Sequence, residues 1–207
     1  MSDQTEMLAW AYLSRVAEAP CAALGDLVQR AGPVEAAERV RRGAVGDPLA
    51  RRTSARRDID CAAEDLELLK RRSGRLVTAD DDEWPGLAFT AFAGAPVRDK
   101  PQGRVPLVLW AIGPLRLDDV TERAAAIVGT RACTAYGEHV AADLSAGLAE
   151  NDVAIVSGGA YGIDGAAHRA ALAVDGMTVA VLAGGVDVLY PAGHSALLHR
   201  ITNNGLL

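Results

Sequence analysis

Two glycine-rich turns hold the residue types in this chain best suited to gripping an anion. The first, GTRACTAYG, covers residues 129–137, and the second, SGGAYGID, covers residues 157–164. Each follows a short apolar run and precedes a helical pattern. A strand, a glycine turn and a helix N-terminus in succession point backbone N–H groups at a phosphate. Two such turns on neighbouring parallel strands could cradle a nucleotide or a sugar-phosphate backbone. A third turn, GGVDVLYP (184–191), would complete the rim of the same crevice, with Tyr190-Pro191 ending it rigidly and Asp187 as a weak polar candidate.

In the first turn the candidates are Gly129, Thr130, Arg131, Thr134, Tyr136 and Gly137. An arginine at a strand's end beside a helix N-terminus is well placed for bidentate contact with phosphate. Its main rival role is a buried structural ion pair. Thr130 and Thr134 can donate hydroxyl hydrogen bonds to a ligand or cap the helix, and for Thr134 the cap is at least as good an account. In the second turn the candidates are Ser157, Gly158, Gly159, Tyr161, Gly162 and Asp164. The glycine pair lets the backbone bend sharply and approach a ligand without interference from Cβ. Asp164 reads first as the N-cap of the following helix, with a hydrogen bond to a ribose hydroxyl or base edge as the functional alternative. Tyr161 can stack on a base or shield the sheet. His168, about one turn into that helix, reads as a packed histidine rather than a catalytic base.

Several signals are missing. No G-x-x-x-x-G-K-[ST] motif supports P-loop hydrolysis of ATP. Ser157 lies outside any G-x-S-x-G elbow, and no Ser/His/Asp order suggests a hydrolase. Cys21, Cys61 and Cys133 lack CxxC or Cys/His ligand spacing, so reduced thiols are expected rather than a metal site. The expectation is a binding crevice with no catalytic set and no cofactor. Lysine occurs only at Lys70 and Lys100, which leaves arginine to supply nearly all phosphate contact.

The elements that must position these turns follow from patterning. Strands at Ala125–Val128, Val153–Ser157 and Thr178–Leu182 alternate with helices near Tyr136–Glu150 and Asp164–Val174. That alternation predicts a mostly parallel sheet with helices on both faces, a doubly wound, Rossmann-like α/β fold. Ligands in such sheets bind beyond the carboxyl ends of the strands, where the glycine turns lie. A helix near Ala196–Asn203 leads to Gly205-Leu206-Leu207, which reads as the approach to a further strand, so the chain is expected to stop inside its fold. Upstream, residues 5–40 read as short helices: one over Glu6–Val16, a turn at residues 23–28, and a start at Pro33. Gly43, Gly46 and Pro48 break the pattern, and an amphipathic helix is expected from about Thr53 to Arg72, stopping near Ser73-Gly74. Residues 80–117 read as an irregular joint with Trp84-Pro85, Pro96, Pro101 and Pro106, enclosing one strand-like run at residues 107–110. The expected organisation is a small all-α domain, of helix-hairpin-helix or sterile-alpha-motif type, over residues 1–75 and a Rossmann-like domain over residues 76–207.

Composition sets the outer limits. Half of the 207 residues are apolar and 4% are aromatic, so a folded Ala/Val/Leu core is expected. No stretch approaches the ~20 apolar residues of a membrane span. The N-terminus lacks a basic region followed by an apolar core. A cytoplasmic chain without membrane association is expected. The net charge of −6 by itself argues against a nucleic-acid partner. The distribution of that charge weakens the objection. Arg39, Arg41, Arg42, Arg51, Arg52, Arg56, Arg57, Lys70, Arg71, Arg72 and Arg75 crowd one stretch, while Asp80, Asp81, Asp82 and Glu83 follow it. Solvated helix faces with i,i+4 pairs are the favoured account of that stretch, and a phosphate-facing patch is the other.

From about Leu76 onward the chain resembles the DprA/Smf family of DNA-processing proteins of natural transformation. The resemblance is carried by DEWPGLAFTAF and VPLVLWAIG, then AIVGTRACTAYG, IVSGGAYGIDGAAHRAAL and TVAVLAGGVDVLYPAGHSALLHRI. The helical N-terminus is compatible with the sterile-alpha-motif-like domain that many members carry. What the resemblance implies is a cytoplasmic, non-enzymatic protein that binds incoming single-stranded DNA and loads RecA onto it for recombination. It places the family's Gly-Ser/Thr-Arg turn on Gly129, Thr130 and Arg131 and its Ser-Gly turn on Ser157 to Asp164. Many relatives carry Arg or Lys where this chain has Tyr161, which implies stacking in place of one phosphate contact. Members also continue well past position 207, through a part that contributes to the fold, to self-association as a homodimer and to RecA contact. The enzyme alternative is a nucleotide-handling Rossmann protein such as the lysine-decarboxylase-like (LOG) phosphoribohydrolases. Those carry a PGGxGTxxE segment, which is not found here.

Overall fold

The computed structural model describes residues 2–18, 21–93 and 104–207. The chain divides into two compact units. One comprises Met1–Arg71, Leu76–Asp81 and Phe89–Leu109, and the other Arg72–Arg75, Asp82–Ala88 and Trp110–Leu207. No helix among the described residues is long and apolar enough to cross a membrane.

Among the described residues the first unit has the helices α1 (Ser2–Val16), α2 (Ala22–Ala31), α3 (Pro33–Arg41), α4 (Asp47–Thr53) and α5 (Ala62–Arg71). α1 lies against α3 and α5, and α2 against α3. Trp10, Tyr12, Leu13 and Val16 of α1 are buried with Leu24, Leu27, Val28, Ala36, Ala37, Val40 and Leu69. Pro33 stands at the start of α3, where its missing N–H costs nothing. The turn expected at residues 23–28 is instead helical. Burying Leu24, Leu27 and Val28 on one face outweighs the ~1 kcal/mol that Gly25 costs in a helix interior. The helix expected over Thr53–Arg72 is shorter: α4 ends at Thr53, residues 54–61 are non-helical, and only α5 falls in that range. The Thr53 hydroxyl turns back onto the Leu49 carbonyl at 3.0 Å, and the Asp60 carboxylate accepts from the Ala62 amide at 3.2 Å to begin α5.

The arginine-rich stretch is largely neutralised within this unit. Arg39 pairs with Glu35, Arg41 with Asp60, Arg42 with Glu38, Arg56 with Glu18, Arg57 with Asp58 and Arg71 with Glu67. Arg41 also stacks 4.1 Å above the ring of Tyr12. Exposed pairs of this kind contribute little, about 0.2–1 kcal/mol each. Their consequence is that the favoured account, a solvated and self-paired helix surface, describes most of the stretch.

The second unit carries a parallel sheet of the Rossmann-like type. Ahead of it lie strand β1 (Gly74–Val77), which patterning did not suggest, the short helix α6 (Gly86–Phe89), a 3₁₀ turn over Thr90–Ala93 and strand β2 (Leu109–Ile112). β2 starts two residues later than the run expected at 107–110. Pro96 and Pro101 of the expected joint lie outside the described residues. Helix α7 (Leu117–Glu122) then leads to β3 (Ala124–Ala126), α8 (Ala135–Ala149), β4 (Ala154–Ser157), α9 (Ile163–Ala173), β5 (Thr178–Ala180) and α10 (Ser195–Asn204). The strand order is β3-β4-β5. Ala125 aligns with Ile155, and Ile155 with Thr178, in parallel register. α8 and α9, the crossovers between sequential strands, lie side by side. Ile155, Ala149, Ala167 and Ala171 form their shared core with Ile127, Leu148 and Val174 packed around it. Leu206 bridges β5 in parallel at Val179, and Leu207 exchanges two backbone hydrogen bonds with Ile112 at 2.8 and 2.9 Å. Those two residues therefore pair by backbone hydrogen bonds with β5 and β2.

One half-buried ion pair ties the start of this unit together. The Arg75 guanidinium makes a bidentate pair with Glu83 and also donates to the carbonyls of Gly113 and Leu115. Glu83, 7% exposed, accepts in addition from the Leu117 amide at 2.9 Å. Burial pushes the Glu83 carboxyl upward, but the hydrogen bonds from Arg75 and Leu117 outweigh it, so its pKa lies below the ordinary value. A carboxyl with a depressed folded-state pKa stabilises the fold above its unfolded pKa of ~4.3, and that contribution is lost as pH falls through the folded value. Glu83→Gln is expected to cost about 2–3 kcal/mol near neutral pH, below the figure for a fully buried pair because Arg75 is a third exposed. Chemical denaturation at pH 7 and at pH 3–4 checks this: the variant's deficit should shrink on acidification.

Candidate nucleic-acid interface

The two glycine turns follow β3 and β4 directly, so they emerge side by side at the carboxyl edge of the sheet. They also touch. Gly162 has φ +76°, and a Cβ there would overlap the carbonyl oxygen of Thr130 and lie 2.8 Å from the carbonyl carbon of Arg131. Gly129 is pressed against Ile163, whose Cγ1 would lie 2.7 Å from an added Cβ. The Ile163 amide, first in α9, donates to the Thr130 carbonyl at 3.2 Å. Gly129, Gly162 and the backbone of residues 130–131 thus form one joined rim. Two of the glycines that sequence assigns to ligand approach serve to bring the turns together.

Arg131 is exposed. It forms no hydrogen bond or ion pair with any other described residue, so the rival role of a buried structural pair does not apply. Thr130 accepts from the Ala132 amide at 3.2 Å, which holds the turn's shape. Thr134 is the N-cap of α8, its hydroxyl accepting from Gly137 at 3.2 Å. Gly137 packs 3.6 Å from Cys133 and Ile163 when a Cβ is placed on it. Tyr136 stands 77% exposed in the first turn of α8.

In the second turn several candidates are already engaged with protein. Ser157 is buried, and its hydroxyl donates to the Ile127 carbonyl at 2.5 Å. It laces β4 to β3 rather than facing a ligand. Asp164 is not the N-cap expected from sequence. Gly162 occupies that position, without a side-chain cap. Asp164 follows as the second residue of α9, buried, with its carboxylate beside Gly158. The helix start falls at Ile163 because only glycine accommodates the backbone turn at residue 162 against the first loop. Tyr161 is 45% exposed and packs edge-on against the His194 ring at 4.7 Å between centroids.

Gly158 and Gly159 lie between these side chains and two histidines. His168 is fully buried; its Nε2 faces the Gly158 carbonyl at 2.8 Å and its Nδ1 the Thr178 hydroxyl at 2.7 Å. Burial lowers its pKa below the ordinary value, against opposing pulls from Gly158 and Asp164, which keeps it neutral at pH 7. This agrees with the packed histidine expected there. His194 has Nδ1 3.0 Å from the Gly159 carbonyl. Sequence reasoning missed His194, whose partner is 35 residues away; no local spacing announces it. Of the third turn, Tyr190 is 68% exposed and its carbonyl lies beside Gly159, while the Asp187 carbonyl accepts from Arg72 at 2.8 Å. Among described residues, then, the rim offers one unpaired guanidinium, three exposed tyrosines and a set of loop amides.

The sequence pattern of DNA recombination-mediator protein A matches residues 75–207. The chain is 74% identical over 199 residues to a DNA processing protein DprA of Mycobacterium tuberculosis, covering 96% of this chain and 51% of the relative. To a DNA processing protein DprA of Streptococcus pneumoniae it is 42% identical over 102 residues, 49% of this chain and 35% of the relative. The X-ray structure of the Streptococcus pneumoniae DprA superposes with a TM-score of 0.67 at 26% identity, covering 98% of this chain and 65% of that one. The chain spans about half the length of the Mycobacterium relative it matches.

Proposed function

Since the chain belongs to the DNA recombination-mediator protein A family, we propose that it binds single-stranded DNA at the joined rim of its two glycine turns. Arg131 contacts a backbone phosphate, loop amides contact the same or the next phosphate, and the exposed faces of Tyr136 and Tyr161 stack on bases. The observation that carries this reading is the join itself: Gly162 against the Thr130 and Arg131 backbone places an exposed, unpaired arginine next to the second turn. Backbone amides and tyrosine faces read no sequence, which suits a strand of arbitrary composition. The proposal includes a cytoplasmic location and, for the longer family protein, loading of RecA onto the bound strand and self-association. It assigns no catalytic step to the rim.

The test is binding of a labelled oligothymidylate, followed by fluorescence anisotropy at several salt concentrations. Affinity should fall as salt rises, because each arginine–phosphate contact releases a counterion. Absence of binding at low salt would overturn the proposal. Incubation with nucleoside monophosphates supplies the contrast: free base above background would point to the phosphoribohydrolase reading instead.

A further inference from the structure

Two consecutive carbonyls of the second turn each face an imidazole nitrogen. Gly158 O lies 2.8 Å from His168 Nε2, and Gly159 O lies 3.0 Å from His194 Nδ1. A carbonyl oxygen only accepts, so the nitrogen facing it must carry the hydrogen. In a trans peptide the carbonyl and the next residue's N–H point in opposite directions. Fixing the Gly158 carbonyl on His168 therefore turns the Gly159 amide away from that ring, and fixing the Gly159 carbonyl on His194 does the same for Ala160. Neither amide donates to an acceptor among the described residues. Two successive amides left without an acceptor in this way keep their donor capacity for an anion.

A glycine pair needs such restraint. With no Cβ, the Gly158-Gly159 peptides can rotate at little steric cost, and a rotated peptide would present a carbonyl oxygen to an incoming phosphate. Both imidazoles are themselves held. His168 accepts at Nδ1 from the Thr178 hydroxyl on β5 at 2.7 Å. His194 is wedged between the Tyr161 ring and Gly165, where an added Cβ would lie 2.5 Å from its Cε1. Gly165 thus leaves room for the ring against α9.

We propose that His168 and His194 are positioning residues that lock the Gly158-Gly159 peptides with their amides facing the phosphate of a bound strand. This rests on the single-stranded DNA reading above. Neither histidine touches the nucleic acid; each acts through the peptide it holds.

Chemistry supplies a matched set of variants. The side-chain amide nitrogen of glutamine replaces Nε2 of histidine, and that of asparagine replaces Nδ1. His168→Gln and His194→Asn keep a donor, whereas His168→Leu and His194→Leu remove it. The leucine variants should bind oligothymidylate about tenfold or more weakly than the parent. The dependence of log affinity on log salt should keep its slope, because amides release no counterions. The glutamine and asparagine variants should recover to within a few-fold of the parent. A folded leucine variant that binds as tightly as the parent would overturn the proposal, as would conservative variants no better than leucine. Should the leucine variants not fold, the conservative pair and an NMR titration decide. In the parent protein, the Gly159 and Ala160 amide resonances should shift on adding inorganic phosphate, and resonances that stay still overturn the locked orientation. If the parent binds phosphate through these amides but no oligonucleotide, the DNA reading fails while the positioning role stands.

Discussion

Gly162→Ala is expected to destabilise the protein by about 3 kcal/mol or more and to abolish the joined rim. Two costs add at this residue. The backbone holds φ at +76° and ψ at −126°, a conformation that strains any residue with a Cβ by about 1–3 kcal/mol. The new methyl would also fall on the Thr130 carbonyl oxygen and close to the Arg131 carbonyl carbon, and overpacking against backbone costs about 1–3 kcal/mol in its own right. Relief requires the first turn to move off the second, breaking the bond from the Ile163 amide to the Thr130 carbonyl. Thermal melting should show a fall of about 6–12 °C for a chain of this size. Oligonucleotide binding should fall with it even below the melting range. A variant that melts like the parent would show that the turns are not pressed together at this point. Gly147, with open space around it, is the control: Gly147→Ala should leave melting unchanged or raise it slightly.

Arg131→Ala is expected to act in the opposite way, on binding and not on stability. The side chain is exposed and bonded to nothing among the described residues, so its removal costs the fold almost nothing. If it neutralises one backbone phosphate, affinity for oligothymidylate should drop roughly tenfold at low salt. The slope of log affinity against log salt should become shallower by about 0.7, the counterion equivalent of one single-strand phosphate. Arg131→Lys should restore the slope while recovering only part of the affinity, since an ammonium keeps the charge and loses the bidentate fork. Equal affinity and equal slope for parent and alanine variant would remove Arg131 from the interface. The two predictions are separable by design. One variant unfolds the rim without touching its charge, and the other removes charge without touching the rim.

The parts of the fold that were legible in the sequence are those fixed by neighbours along the chain. Apolar runs of a few residues, each closed by glycine and followed by a helical pattern, located β3, β4 and β5 and the helices between them to within one or two residues. The same local logic placed Pro33 at a helix start and offered Thr134 as a cap beside its ligand-binding role. It failed where a local signal was overruled by packing. Gly25 suggested a turn, yet Leu24, Leu27 and Val28 are buried on one helical face. Residues 53–72 carried a continuous amphipathic pattern, yet the helix begins only at Ala62, with Thr53 and Asp60 hydrogen-bonded to nearby backbone ahead of it. Asp164 looked like a cap because it precedes an apolar run. The cap instead falls two residues earlier, at Gly162, since the first loop fills the space against it.

Sequence alone determined that a parallel sheet would present two glycine turns at one edge, with an arginine in the first. Strand and helix periods and the special backbone of glycine are local properties, written within a few residues. Only the tertiary structure decided which of those residues were already spent. Ser157 is consumed by Ile127, 30 residues away, and the carbonyls of Gly158 and Gly159 by His168 and His194, while Arg131 has no partner among the described residues. Hydrogen-bond capacity is exhausted by contacts across strand register and helix packing, and those distances have no counterpart in the spacing of residues along a chain.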